Sequence, residues 1–127
     1  MYTVQEIFNN SMDFMNKKTI AGTVDANSTS FYKARALGIM NSWQEEMSIE
    51  LGLDIPITLT TFEDNMTVNF KSCASNFLAG NLLLQENTTE ADFFIQRYEE
   101  LKAIIIKKNR VATIALITDV NQIMWSE

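Results

Sequence analysis

The side chains that could do chemistry in this chain form no catalytic set. The chain contains no histidine, which removes the commonest general base near neutral pH and most transition-metal sites. None of its four glycines is spaced as in a phosphate-binding loop. The acidic pairs Glu45-Glu46 and Glu99-Glu100 are adjacent on predicted helices, so their side chains diverge by about 100° and cannot flank one bond as in a glycosidase. We therefore predict a protein that is not an enzyme, with no catalytic residue, no cofactor and no metal ligand.

Composition favours one domain that interacts with proteins. The chain has 127 residues, of which 46% are hydrophobic, enough for a modest core. Its net charge of -6 argues against binding nucleic acid through phosphate contacts. The single Cys73 falls in a helical apolar pattern, so we expect a small buried hydrophobe in a protein made in the cytosol. We expect no secretory leader, because the sequence opens on an amphipathic helix. We expect no membrane span, because no apolar run approaches about 20 residues.

Two helices are predicted in the first half of the chain. The spacing of Thr3 and Glu6 is that of a capping box, and it predicts a first helix over residues 4–16. Apolar residues then recur at helical spacing over residues 31–50, which predicts a second and longest helix. The residues on its other, polar side are Lys33, Arg35, Gln44, Glu45 and Glu50. Gly52 should end that helix, and Pro56 cannot continue it.

Two more helices are predicted to form an antiparallel hairpin. The acidic Glu63 and Asp64 favour the start of a third helix, because negative charge suits a helix N-terminus. The small residues Ala74, Ala79 and Gly80 should let a neighbouring helix come close. Asn87, with Glu90 three residues later, has capping spacing and opens a fourth helix with a clean helical period.

The end of the chain is predicted to be an arm. Residues 111–118 read as a β-strand, whose only plausible partner within the chain is the segment 55–62. Such a strand pairs either with that segment or with a neighbouring molecule, through main-chain hydrogen bonds.

The charged and aromatic residues around this arm leave alternatives open. Lys107, Lys108 and Arg110 at the end of the predicted fourth helix either complement its negative C-terminus or form a docking site for an acidic neighbour. The terminal Ile123, Met124 and Trp125 either anchor the chain in a partner's pocket or pack on the chain itself. The candidate partner-binding residues are Lys107, Lys108, Arg110, Val111, Thr113, Ile114, Leu116, Ile117, Ile123, Met124 and Trp125.

Four predicted helical segments carry a resemblance to a known family. Asn76-Phe-Leu-Ala-Gly-Asn-Leu-Leu-Leu-Gln-Glu-Asn87 is followed by Ala91-Asp-Phe-Phe-Ile-Gln-Arg-Tyr-Glu-Glu-Leu101, and upstream lie Thr3-Val-Gln-Glu-Ile-Phe and Tyr32-Lys-Ala-Arg-Ala-Leu-Gly-Ile-Met-Asn41. Together these segments, within residues 3–105, resemble the head-tail connector, or adaptor, proteins of tailed bacteriophages. They are helix-packing patterns and carry no catalytic residues.

The resemblance implies a virion structural protein in the phage neck, made in the cytoplasm of a bacterial host. Its subunits would form a homo-oligomeric, dodecameric ring between the portal protein and a neck or tail-completion protein. DNA would pass through the lumen without specific binding. The alternatives are a tail-completion or tail-terminator protein of the neck and, with less support, a small helical regulatory binding protein.

The expected architecture is mainly α. It comprises a four-helix bundle-like domain with an extended loop and a C-terminal strand or arm. Residues 1–110 would form the helical connector domain, and residues 111–127 the arm used in assembly.

Overall fold

The described part of the chain forms four helices. The computed structural model describes the backbone of residues 1–17, 22–24 and 26–125, and the side chains of those residues except 26–27 and 113–125. The helices are α1 (Val4–Phe14), α2 (Ala26–Leu51), α3 (Lys71–Leu83) and α4 (Thr88–Trp125). The predicted mainly α, bundle-like domain is confirmed, and the described backbone contains no β-sheet.

The start of α1 is capped as predicted and is also tied to a distant loop. The Glu6 N–H donates to Thr3 Oγ1 at 3.2 Å. The N–H groups of the first two helical residues donate to the carbonyls of Asp64 and Phe62, at 3.0 and 2.9 Å. Three N–H groups that a helix leaves without an internal partner are thus satisfied. The helix ends at Phe14, two residues before the predicted end.

The stop of α2 is the predicted one, but its start is earlier. Gly52 has a φ of +66°, which glycine adopts without steric cost. Its N–H donates to the carbonyl of Ile49 at 3.3 Å, and the Leu53 N–H donates to that of Ser48 at 2.8 Å. These two bonds form a Schellman motif. Helix α2 begins at Ala26, five residues before the predicted start, and the longest described helix is α4 rather than α2.

The core lies where the helical apolar stripes meet. Cys73 is buried there, as predicted, and burial raises the pKa of its thiol to about 11. Met12, Met40 and Met47, which recur at helical spacing in the sequence, are also buried, so they belong to the core rather than to a ligand groove. The largest fully buried apolar side chains are Trp43, Phe8, Ile7, Met12, Met40, Met47, Met66, Leu78, Leu82 and Val4.

Two amide side chains of α2 hold the long connection to α3. Gln44 is fully buried, and its Oε1 accepts the N–H groups of Thr67 and Val68 at 2.6 and 3.2 Å. Asn41 donates to the Leu59 carbonyl at 3.0 Å and accepts the Leu59 N–H at 2.8 Å. The backbone of this connection is in no helix or sheet, so its N–H and C=O groups bond to side chains of α2 instead. The sequence pattern had placed Gln44 on the polar side of the helix, which is wrong.

The third helix begins later than its acidic residues suggested. Asp64 lies in a turn, where its carboxylate accepts the N–H groups of Thr60 and Thr61 at 2.8 and 3.0 Å. These bonds lower the pKa of Asp64 to about 2. The carboxylate of Asp64 thus stabilises the connection before α3, which starts only at Lys71.

The predicted hairpin of α3 and α4 is confirmed, including its close approach. A methyl group at Gly80 would lie 2.7 Å from Ile95 Cγ1 and 3.2 Å from its backbone nitrogen. Farther along the pair, the rings of Phe77 and Tyr98 are 4.8 Å apart. At the turn, Asn87 Oδ1 accepts the Glu90 N–H at 3.1 Å, which is the predicted cap.

The predicted C-terminal strand is wrong, because α4 continues through it to Trp125. β-branched residues cost a helix only a few tenths of a kcal/mol each, whereas an unpartnered strand leaves N–H and C=O groups unsatisfied. The supposed partner segment is engaged with Asn41 and Gln44 of α2 instead. The division at residue 110 stays a prediction, and α4 crosses it without a break.

Candidate functional site

The outer part of α4 carries an exposed stripe of mixed apolar and basic character. We define the α4 stripe as Ile104, Lys107, Lys108, Val111 and Ala112, which line a shallow surface depression of about 500 Å³. Val111 is 60% exposed and Ile104 about half exposed. Spacings of three and four residues place these side chains on one side of the helix.

The basic residues of the stripe are not at a helix C-terminus, so the first interpretation of their role is wrong. Helix α4 ends at Trp125, about four turns beyond Arg110. The dipole effect falls off within the last turn of a helix. A docking role for Lys107, Lys108 and Arg110 stays a prediction.

The end of α2 presents a second surface, which the sequence reasoning missed. We define the α2 groove as Glu45, Ser48, Ile49, Leu53, Ile55 and Pro56, which surround a cleft of about 250 Å³. Ile49 is 81% exposed and Ile55 is 93% exposed. Asp54, also exposed, lies between two groove residues in the chain. The signal that could have revealed the groove is Ile49, an apolar residue outside the apolar stripe of its helix.

A third surface lies near the start of α4. The rings of Phe14 and Phe94 stack with centroids 6.1 Å apart, and the neighbouring Phe93 is 66% exposed. These rings line a cleft of about 290 Å³ with Asn16 and Glu90. Three of its seven lining residues are aromatic and three, Asn16, Thr89 and Glu90, are polar.

A polar cluster joins α2 to α4. Glu46 accepts hydrogen bonds from the Tyr98 hydroxyl at 2.9 Å and from Lys102 Nζ at 2.6 Å. A carboxylate oxygen of Glu50 lies 3.9 Å from the same Nζ. The cluster fixes the relative position of the two helices.

The protonation states in this cluster follow from burial and from its carboxylates. Burial, and then the hydrogen bond and charge of Glu46, raise the pKa of the Tyr98 hydroxyl. Burial lowers the pKa of Lys102, but the hydrogen bond to Glu46 and the negative charges of Glu46, Glu99 and Glu50 outweigh it, so the pKa is raised. At neutral pH the phenol is thus neutral and the ammonium charged. Neither group is poised as a base.

The described residues supply no metal centre and no membrane span. No group of three or more Cys, Asp or Glu side chains among them is arranged to hold a metal ion. No helix in the part of the chain that the structure describes is long and apolar enough to cross a membrane.

The structure places the candidate partner-binding residues along one helix. Lys107, Lys108, Arg110 and Val111 are exposed on α4. The backbone of the remaining seven lies on the same helix, and their side chains are outside the described residues: Thr113, Ile114, Leu116, Ile117, Ile123, Met124 and Trp125.

Comparisons with protein-family models, curated proteins and solved structures found no match to this chain.

Proposed function

We propose that this protein is a head-tail connector of a tailed bacteriophage, a structural protein of the virion neck. The observation that carries the proposal is the α4 stripe, an exposed apolar and basic surface on a helix much longer than its neighbours. At 1.5 Å per residue, α4 is about 57 Å long and α3 about 20 Å. Exposed apolar surface on such a helix is typical of a protein interface. The resemblance of residues 3–105 to connector proteins supports the same role.

In this proposal the helical bundle is the platform and α4 is the assembly arm. An exposed amphipathic helix docks by laying its apolar side into a groove, so helix docking replaces the strand addition first expected. A surface that binds a different surface of the next copy gives a closed ring when the rotation closes. We propose such a ring, dodecameric by the resemblance, between the portal protein and a neck or tail-completion protein.

The proposed lumen conducts DNA without binding it specifically. The net charge of -6 disfavours phosphate contacts. A negatively charged subunit is therefore suited to a conduit for DNA.

The test is mass measurement of the purified protein, alone and mixed with the portal protein of the same phage. We expect a closed oligomer that binds portal, and we expect loss of both properties when residues 111–127 are deleted. The deletion should keep its bundle, which circular dichroism checks, because the packed contacts described above lie before residue 111.

A full-length variant provides the matched comparison. Val111→Asp places a charge in the α4 stripe and should weaken assembly, whereas Asp13→Lys, an exposed change near the end of α1, should assemble normally. A truncated protein that assembles and joins portal as the full chain does would contradict the proposed role of the arm. A wild-type protein that neither assembles nor binds portal would contradict the connector function.

A further inference from the structure

The α4 stripe and the α2 groove are chemically complementary. The stripe combines the ammonium groups of Lys107 and Lys108 with the apolar Ile104 and Val111. The groove combines Glu45, and Asp54 beside it, with the exposed Ile49 and Ile55. Apolar centres edged by opposite charges are what a specific protein interface needs, because the charges select the partner and the register.

These charges have no ion-pair partner among the described residues of their own subunit. One turn before the stripe, Lys102 pairs with Glu46 and Glu50. In the described part of the chain, no ion pair involves Lys107, Lys108, Glu45 or Asp54. Along the described part of α4, the basic residues Arg97 and Lys102 are thus paired, whereas Lys107, Lys108 and Arg110 are not.

The fold keeps the groove of a subunit away from its own stripe. Glu46 and Glu50 point toward α4, where they meet Lys102. Glu45 and Ile49 each precede one of them by one residue, so they lie about 100° around α2 from the α4 side. Beyond this point Asn109 Nδ2 donates to the Leu51 carbonyl at 3.4 Å and joins the two helices. The groove thus opens away from the α4 of its own subunit.

We propose that the α4 stripe of one copy docks in the α2 groove of a second copy of this chain. The two surfaces differ, so the contact is heterologous and repeats from copy to copy until the ring closes. The inference rests on the proposed function and deepens it, since it names the surfaces that join neighbouring subunits. It also explains why Ile49 and Ile55 are exposed although they are large and apolar.

The experiment uses two full-length charge-reversal variants. The stripe variant is Lys107→Glu with Lys108→Glu, and the groove variant is Glu45→Lys with Asp54→Lys. Each alone should need at least about tenfold more protein to assemble, because like charges then meet at the interface. Asp13→Lys is the control, and thermal unfolding establishes that every variant is folded.

Mixing the two variants gives the decisive measurement. In an alternating assembly, wild-type stripes meet wild-type grooves, and acidic stripes meet basic grooves. We therefore expect the equimolar mixture to assemble at nearly the wild-type concentration, as measured by native mass spectrometry or light scattering. The inference would be overturned if either variant alone assembled at the wild-type concentration. It would also be overturned if the mixture needed as much protein to assemble as each variant alone.

The outcomes also separate this inference from the connector function. If wild-type protein forms a portal-binding ring that the reversals leave intact, the inference fails and the connector function stands. If mixing restores only an open assembly or a dimer that does not bind portal, the interface is supported and the connector function fails. A wild-type protein that stays monomeric overturns the interface.

Discussion

The inner and outer parts of α4 belong to one helix but have different surroundings. In the inner part, residues 88–105, Ala91 and Tyr98 are buried, and Ile95 lies directly against Gly80 of α3. In the outer part, residues 106–125, the described Lys107, Arg110 and Val111 are exposed. One continuous helix thus passes from the core of the bundle to the surface.

This difference shows that helix formation and burial are separate events. Tertiary packing stabilises the inner part, whereas the outer part extends a helix that is already nucleated, and extension adds one hydrogen bond per residue. Val111, 60% exposed in the outer part, therefore contributes little to the stability of the bundle. It is available for a partner, which is the basis of the proposed assembly.

The largest expected effect tests the inner part through two adjacent phenylalanines. Phe94 is buried and stacks on Phe14, so Phe94→Ala should lower the free energy of unfolding by about 3 kcal/mol. Phe93 is 66% exposed, and Phe93→Ala should lower it by less than about 1 kcal/mol. Urea denaturation measures both changes. Equal losses of unfolding free energy would show that the two rings contribute equally to packing, and would contradict the described difference in their burial.

A second, smaller effect tests the close contact between α3 and the inner part of α4. Gly80→Ala should lower the free energy of unfolding by about 2 kcal/mol, because its methyl group has no space beside Ile95. Gly38 lies exposed in α2 with nothing near its Cβ position. Gly38→Ala should therefore raise stability by about 0.5 to 1 kcal/mol. Thermal unfolding of the pair measures the contrast, and two changes of the same sign would contradict the described packing.

The smallest effect concerns the Tyr98 hydroxyl, which links the inner part of α4 to α2. Tyr98→Phe should lower the free energy of unfolding by about 1 kcal/mol at neutral pH, through loss of the bond to Glu46. The folded-state pKa of Tyr98 is raised above its ordinary value of 10.0. Stability from this group is therefore complete below pH 10 and is lost as the pH rises toward the folded-state pKa.

The loss of stability at alkaline pH also tests the packed, inner part of α4. Tyr98→Phe should flatten the alkaline loss of stability, measured as unfolding free energy from pH 9 upward. Tyr32 contributes to the remaining slope, because burial and its bond to Glu86 raise its pKa to about 12. Deleting residues 111–127 should leave that slope unchanged, since both tyrosines lie in the packed region. If the Tyr98→Phe variant keeps the full wild-type slope, the pKa of Tyr98 does not differ between the folded and unfolded states.

Local signals in the sequence predicted the helix caps and contacts correctly. Thr3 and Asn87 cap their helices, Gly52 ends α2, and Gly80 admits Ile95. Each of the caps and stops depends on residues within about one turn, so a sequence pattern contains the needed information. The contact at Gly80 follows from the absence of a side chain, which is also visible in sequence.

Non-local contacts account for the errors. A short apolar run such as residues 111–118 fits a strand or a helix equally by periodicity, and its state depends on whether a partner strand exists. The acidic start predicted for the third helix failed because Asp64 instead binds the N–H groups of Thr60 and Thr61. Gln44 was assigned to solvent because its partners are 13 to 24 residues away.

The sequence by itself determined a mainly helical domain, its caps and stops, its buried Cys73 and its net negative charge. Those features depend on composition and on neighbours along the chain. Only the tertiary structure decided that the tail continues α4, that Gln44 is buried, and that Glu45 and Ile49 border an open groove. Each of these outcomes depends on whether another segment of the chain packs against the residue. Such packing is set by the tertiary structure and not by the local sequence pattern.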